Sequence, residues 1–426
     1  MKKWLILPVC LLFILGAGLL TVAAATQGVG PGAVQGSDPA IDPEPPVEQA
    51  PPGAVPQDAT IEAILEPAWV APASSETNHL AWGDYDRDGD LDLLVGNYGE
   101  NVLYTNIGRA LTPTLTFLCE PGMSSADTRA IEWGDFDRDG YLDVAIGNFA
   151  RKNCIFHNEG NGTFARDWLA EVRQNTTSVA WAGWEIGGES LSFLAVGNSG
   201  DANAVYRYEA GDFDLWWRDP PGATEATQSV AWGDYDEDGY PDLAVGNFGQ
   251  PTYVFHNDPA GQTLQLVYST TVPSYTTSIA WGDVDGDGLI DLAVGNSGTT
   301  GEMHHDYVLR NTGSVPVFEW PPYWTSGDAS PTTDVSWGDY DGDGDLDLAS
   351  ASEPDGVTRV YVNNGGMLAA FPAREFDDEV LERQDVAWAD WDGDGDLDLA
   401  IGYFGAPVTV YDNTAGPMFS ADVSPH

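Results

Sequence analysis

Residues 231–247 read AWGDYDEDGYPDLAVGN. In the second half, Leu243 and Val245 fall on one face of an extended chain and Ala244 and Gly246 on the other, because strand side chains alternate with period two. Neither face is polar, so this strand is expected to be covered on both sides by neighbouring sheets. Ahead of it stand Asp234, Asp236, Asp238 and Asp242, with Gly239 after the third. The residues before Trp232 (TQSVAW) read as a strand of small side chains, so the acidic segment joins two strands as a hairpin loop.

The same unit recurs along the chain. Its tryptophans are Trp82, Trp133, Trp181, Trp232, Trp281, Trp337 and Trp388, spaced by about 50 residues. A third strand follows in most copies (NVLYTN, NCIFHN, TYVFHN, RVYVNN, VTVYDN), and a fourth carries an aromatic residue, as in FARDW. Four short strands per copy, seven copies and no helical periodicity predict an all-β, seven-bladed β-propeller of four-stranded blades over residues 61–423, with hairpin loops suited to calcium. Trp168, Tyr268 and Trp324 hold one position ahead of the following repeat tryptophan, and Trp69 holds it ahead of Trp82. Residues 61–70 are therefore expected to supply the missing fourth strand of the last blade, with GPMFSADV at 416–423 competing for that place.

Six copies carry D-x-D-x-D-G-x-x-D. The carboxylates are Asp84, Asp86, Asp88 and Asp92; Asp135, Asp137, Asp139 and Asp143; Asp234, Asp236, Asp238 and Asp242; Asp283, Asp285, Asp287 and Asp291; Asp339, Asp341, Asp343 and Asp347; Asp390, Asp392, Asp394 and Asp398. The residue after each glycine (Asp90, Tyr141, Tyr240, Leu289, Asp345, Asp396) varies, which suits a ligand supplied by the backbone carbonyl. Two like charges about 4 Å apart repel by about 4 kcal/mol at an effective dielectric near ~20, so four converging carboxylates call for a cation. Hard oxygen ligands in a flexible loop select Ca²⁺ over zinc or magnesium. About six Ca²⁺ sites are expected, one per repeat except the third, where Trp184, Glu185, Gly187 and Gly188 replace the pattern.

On these loops, on the LAVGN strands and on Phe404-Gly405-Ala406-Pro407, the chain resembles the FG-GAP/VCBS repeat family, whose propellers also form the head of integrin α subunits and some fungal lectins. The resemblance covers about residues 61–423 and implies a seven-bladed propeller with structural calcium loops on one face. The third repeat, and the sixth with Ser350-Ala351-Ser352 in place of Val-Gly-Asn, depart from the pattern.

The rest of the sequence sets the surroundings. Residues 1–25 read as a signal peptide, with an uncleaved anchor as the alternative, and residues 26–60 as a Pro/Gly/Ala-rich spacer. The expected location is secreted or cell-surface. With 67 acidic against 16 basic residues the formal net charge is −51, which disfavours nucleic acid and anionic membrane surfaces as partners. A monomeric propeller is expected. Cys119 and Cys154 could pair outside the cytoplasm, but the expectation taken is two buried free thiols.

If the calcium loops occupy one face, the starts of the first strands form the other. That rim holds Asn78, Arg129, Thr177, Gln228, Thr277, Thr333 and Gln384, amides and hydroxyls suited to an extracellular glycan or protein ligand. Asn97, Asn148, Asn198, Asn247 and Asn296 lie near it and read more simply as turn caps. Trp216-Trp217 and the run from Trp320 to Trp324 hold fourth-strand positions, so packing between blades is expected of them before sugar stacking. The loop with His304, His305 and Asp306 is the best single candidate for an added feature. His157 and His256 recur at one repeat position, which suggests a structural role. No G-x-S-x-G or H-E-x-x-H motif is present, so a binding or adhesion module is expected rather than an enzyme. A polysaccharide lyase or hydrolase and a ligand-free spacer are the alternatives.

Overall fold

A computed structural model describes residues 65–414 apart from 121–125, 187–188, 221–223, 259–262, 298–304, 315–316, 328, 354–356 and 378–381. The signal, the spacer, the 416–423 segment and His304 lie outside these residues.

The hairpin at Trp232 forms in the expected register. Thr227–Gly233 pairs with Asp242–Gln250, which pairs with Tyr253–Asp258, which pairs with Thr263–Ser269, all antiparallel. Among the described residues every repeat tryptophan sits in such a four-stranded set, and no helix occurs. The last set contains Glu382–Ala389, Asp398–Ala406 and Thr409–Asn413, and its fourth strand is Leu65–Val70, running from Leu65 opposite Asn413 to Val70 opposite Thr409. The N-terminal strand thus takes the contested place, with Trp69 as its aromatic residue.

Alternation along the second strand feeds two cores. Leu243 and Val245 pack with Trp232, Phe255 and the third repeat's Trp184 and Phe193. Ala244 belongs instead to the cluster of Ile279, Leu292 and Phe318 in the fifth repeat. Trp216 lies 5.8 Å from Trp184, Trp217 lies 5.3 Å from Phe255 and Trp324 lies 5.1 Å from Tyr361 between ring centroids, so these aromatics fill the spaces between sheets.

The Trp-Gly dipeptide is the joint between repeats. A Cβ on Gly83 would stand 2.7 Å from Trp133 Cδ1, and one on Gly338 would stand 2.8 Å from Trp388 Cδ1. Each such glycine is the seat for the tryptophan of the following repeat. Five of the seven indoles (Trp133, Trp232, Trp281, Trp337, Trp388) also donate from Nε1 to a carbonyl of the preceding repeat at 3.1–3.3 Å, as Trp133 does to Ala81.

One expectation is overturned. Cys119, just beyond the strand Leu111–Phe117, and Cys154, opening the strand Cys154–Asn158, form a disulfide with their Cα atoms 5.5 Å apart. The sequence separation of 35 residues gave no hint of contact. The docking of the first repeat's outer edge on the second repeat, in one shared core, brings the two thiols together.

Candidate functional site: acidic loops and a polar cavity

In each acidic loop, tight turning aims the carboxylates inward. Asp84 accepts the backbone N–H groups of Asp88 and Gly89 at 3.1 Å, and the same contacts recur around Asp234, Asp283 and Asp390. Asp135 and Asp339 accept from Gly140 and Gly344. The third carboxylate (Asp88, Asp139, Asp238, Asp287, Asp343, Asp394) accepts the N–H of the variable residue two positions on (Asp90, Tyr141, Tyr240, Leu289, Asp345, Asp396). The glycine after it is left-handed, from φ 91° at Gly239 to 101° at Gly395. So is the residue two positions before that glycine: Gly286, Gly342 and Gly393 in three loops, but Arg87, Arg138 and Glu237 in the others, at φ 64°, 64° and 56°.

The fourth carboxylate does double duty. Asp92 is fully buried and accepts Tyr85 N–H at 3.2 Å and Asn106 N–H at 2.8 Å. Asp143, Asp242, Asp291, Asp347 and Asp398 repeat this with Asn158, Asn257, Asn311, Asn363 and Asn413. Most of those asparagines reach across to the preceding repeat; Asn106 Nδ2 donates to Trp391 O and Asn363 Nδ2 to Val284 O. Asp92, Asp84 and Asp86 still present one oxygen each within 4.8 Å of one another, as do Asp135, Asp137 and Asp143, and Asp234, Asp236 and Asp242. Burial, reinforced by neighbouring loop carboxylates, pushes Asp92, Asp143, Asp291 and Asp347 up to about 7 and Asp242 and Asp398 up to about 8, against the lowering effect of the backbone donors.

Histidine and arginine side chains distinguish the loops from one another. His157 Nδ1 lies 3.2 Å from Asp143 and 3.6 Å from Asp137, and His256 Nδ1 lies 3.1 Å from Asp242 and 3.4 Å from Asp236. Arg310 Nε is 2.6 Å from Asp285, and Arg109 Nη1 is 2.6 Å from Asp392. These four neighbours were not read as loop residues from the sequence, although the recurrence of His157 and His256 at one repeat position was a signal. The third repeat has no acidic loop: its first strand runs on through Gln174–Ile186 into Glu189–Asn198, and the Trp184 and Phe193 rings stack 3.5 Å apart.

At the other end of the first strands, Asn78, Arg129, Thr177, Gln228, Thr277, Thr333 and Gln384 all line one cavity of about 340 Å³. Several already brace neighbouring repeats: Asn78 donates to Thr128 O at 2.8 Å, Thr177 to Thr227 O at 2.8 Å and Thr277 to Thr332 O at 2.7 Å. Arg129 pairs with Asp127 at 2.7 Å. The nearby Asn97, Asn148, Asn198, Asn247 and Asn296 are buried and do not line the cavity. Four of them accept from a buried threonine one strand away, so they are internal braces. Asp306 is also internal, accepting Asn296 N–H, Thr332 Oγ1 and Ser350 Oγ, which removes it as a ligand in an added metal site.

The next residue along each first strand forms a deeper ring that the sequence reading missed: His79, Ala130, Ser178, Ser229, Ser278, Asp334 and Asp385. Side chains of this ring accept backbone N–H groups of the following repeat, Ser178 from Val230, Ser278 from Val335, Asp334 from Val386 and Asp385 from Leu80 at 2.7 Å. The last bond joins the final repeat to the first. Ser278 also donates to Asp334 at 2.7 Å, and Asp334 hydrogen-bonds with Asp385. Asp385 is only 5% exposed. Burial raises Asp385 to about 7, burial and the charge of Asp385 raise Asp334 well above the carboxylate range, and burial lowers His79. His79 and Asp334 lie deep in the protein yet keep part of their surface on the cavity.

Sheets repeating in this way, with an acidic hairpin loop in six repeats, define a β-propeller module. The FG-GAP-like repeat pattern matches residues 84–146, 193–245, 234–294, 283–350 and 339–401, and the chain belongs to that family. Among solved structures, BBS1N in complex with ARL6DN soaked with mercury is similar, with a TM-score of 0.55 at 12% identity over 83% of this chain and 99% of that one. The same complex soaked with lead gives a TM-score of 0.56 at the same identity and coverage. At that identity the likeness concerns the fold. No curated protein matches the chain.

Proposed function

We propose that the chain is an exported, calcium-stabilised β-propeller, closed from seven four-stranded blades, that acts as a non-enzymatic extracellular binding or adhesion module for glycan or protein ligands. The observation that carries this reading is the convergence of seven residues, each from a different repeat and about 50 residues apart, on one cavity. Ring closure is supported by the pairing of Leu65–Val70 with the last repeat and by the bond from Leu80 N–H to Asp385.

Calcium is supported by cost. An aspartate held at about 7 in the fold, rather than its ordinary 3.8, opposes folding in its ionised form by about 4 kcal/mol. Each of the six loops holds such a carboxylate, so a counter-charge bound there would stabilise the ionised fold. Asp84, Asp86, Asp88 and Asp92, and their counterparts in the other five loops, would hold it. Bound Ca²⁺ would supply structural charge neutralisation and no reaction.

A glycan and cell-surface-protein screen with and without calcium tests the binding role. Retention that falls when Arg129→Ala and Gln228→Ala are introduced supports it. Binding untouched by both changes moves the site off this face, and a processed polysaccharide in the eluate would favour the enzyme reading.

A further inference from the structure

Resting on the reading of this face as the binding face, we propose that the polar cavity is a site for a primary ammonium group, held between the carboxyl groups of Asp334 and Asp385 at its floor. The cavity, about 340 Å³, is in the range of small-molecule sites. Its lining contains one permanent cation, Arg129, which is already paired with Asp127, so the two acids are not neutralised from within the lining. Nothing in the scaffolding of the ring requires acids there, because Ser178, Ser229 and Ser278 perform the same backbone-capping role with neutral hydroxyls. Placing two carboxyl groups side by side at such depth is costly unless a counter-charge arrives.

The donor arithmetic favours ammonium over a metal ion. Asp334 already accepts Ser278 Oγ and Val386 N–H, and Asp385 already accepts Leu80 N–H, so few lone pairs remain. Calcium asks for six to eight oxygens, which these two fixed side chains cannot supply. An ammonium has three N–H donors. Two match the free lone pairs of Asp334 and Asp385, and His79, whose Nδ1 has no hydrogen-bond partner, lines the same cavity. The rim of amides and hydroxyls above then faces the neutral remainder of the ligand. On binding, the proton shared by the acid pair leaves to solvent, so charge balances.

The test is calorimetric titration of the calcium-loaded protein with glucosamine and with Nα-acetyl-lysine methylamide, each against its neutral counterpart, N-acetylglucosamine and Nα-acetyl-norleucine methylamide. The expected result is that at least one ammonium probe binds about tenfold or more tightly than its neutral partner, the worth of a hydrogen-bonded charge. The arm that binds tells an amino sugar from a lysine side chain. Asp385→Asn should remove the preference, and the wild-type comparison stands even if that variant does not fold. Equal affinity for charged and neutral probes, or no binding of any, overturns the ammonium site. The binding-face reading is judged apart, by whether the Arg129→Ala and Gln228→Ala variants lose the ligand found in the screen.

Discussion

Replacing Gly83 by alanine should weaken the joint between the first two repeats. The new Cβ would stand 2.7 Å from Trp133 Cδ1, 2.8 Å from Leu142 Cδ1 and 3.0 Å from Trp133 Nε1, about 1 Å inside normal carbon contact. Trp133 has no room to retreat. Its side chain is 0% exposed, its ring stacks against Tyr85 with centroids 6.1 Å apart, and its indole N–H is tied to Ala81 O at 3.2 Å. Overpacking of a rigid site costs about 1–3 kcal/mol, and the lower chain entropy of alanine returns about 0.5–1 kcal/mol. A net loss of about 1–2 kcal/mol is expected, read as a lower urea midpoint with unchanged slope. In a Trp133→Leu background the same methyl group should cost less, because one of its two obstacles has gone while Leu142 remains, so the two changes should couple in a double-mutant cycle. The repeats where alanine already follows the tryptophan, Ala182 and Ala389, sharpen the test by showing that alanine is admissible where the neighbouring repeat is set to receive it. If Gly83→Ala melts like the parent, or the two changes are additive, the seat between repeats is not what this spacing says it is.

Other outcomes follow from the loops and the disulfide. In chelator, stability should fall as pH rises from about 4 toward 8: the six buried aspartates hold protons in the fold up to about 7 or 8 that the unfolded chain releases near 3.9, so the folded state binds more protons across that window. Calcium should restore stability chiefly on the alkaline side, and a chelated protein that melts higher at pH 8 than at pH 5 would reverse the sign. Glu237→Gly should raise the melting temperature, because Glu237 sits at φ 56° where three other loops have glycine; the gain is about 1 kcal/mol from relieved strain, less the entropy glycine adds to the unfolded chain. Reducing the Cys119–Cys154 bridge, or changing both residues to serine, should cost about 3–4 kcal/mol for a loop of 35 residues, measured by urea unfolding with and without reductant.

The strand order, the joint aromatics and the acidic loops were legible because each is written in a short window and repeated. Leu243 and Ala244 announce two covered faces by alternation alone, and the offset of Trp69 from Trp82 marks residues 61–70 as a candidate for the last repeat's missing strand, while the choice between them and 416–423 was not legible. What escaped the sequence depends on distance across repeats. Cys119 and Cys154 meet only after two sheets dock. Asp334, Asp385 and His79 look like scattered polar residues until the repeat register places them on one ring beside Ser178, Ser229 and Ser278. Arg310 and Arg109 reach the loops from other strands and turns, as their 2.6 Å contacts with Asp285 and Asp392 record, and one of them crosses from the first repeat to the last. The rim residues lie between these cases: their shared position was readable, but the brace that Asn78, Thr177 and Thr277 make to the next repeat was not.

The most direct test of the account is the number of Ca²⁺ ions bound per chain, measured by equilibrium dialysis with metal analysis at millimolar free calcium. The account predicts one ion for each of the six acidic loops and none for the third repeat, with one ion lost for each of Asp84→Ala, Asp234→Ala and Asp390→Ala. A chain that binds no calcium, or whose count is unchanged by these substitutions, would contradict it.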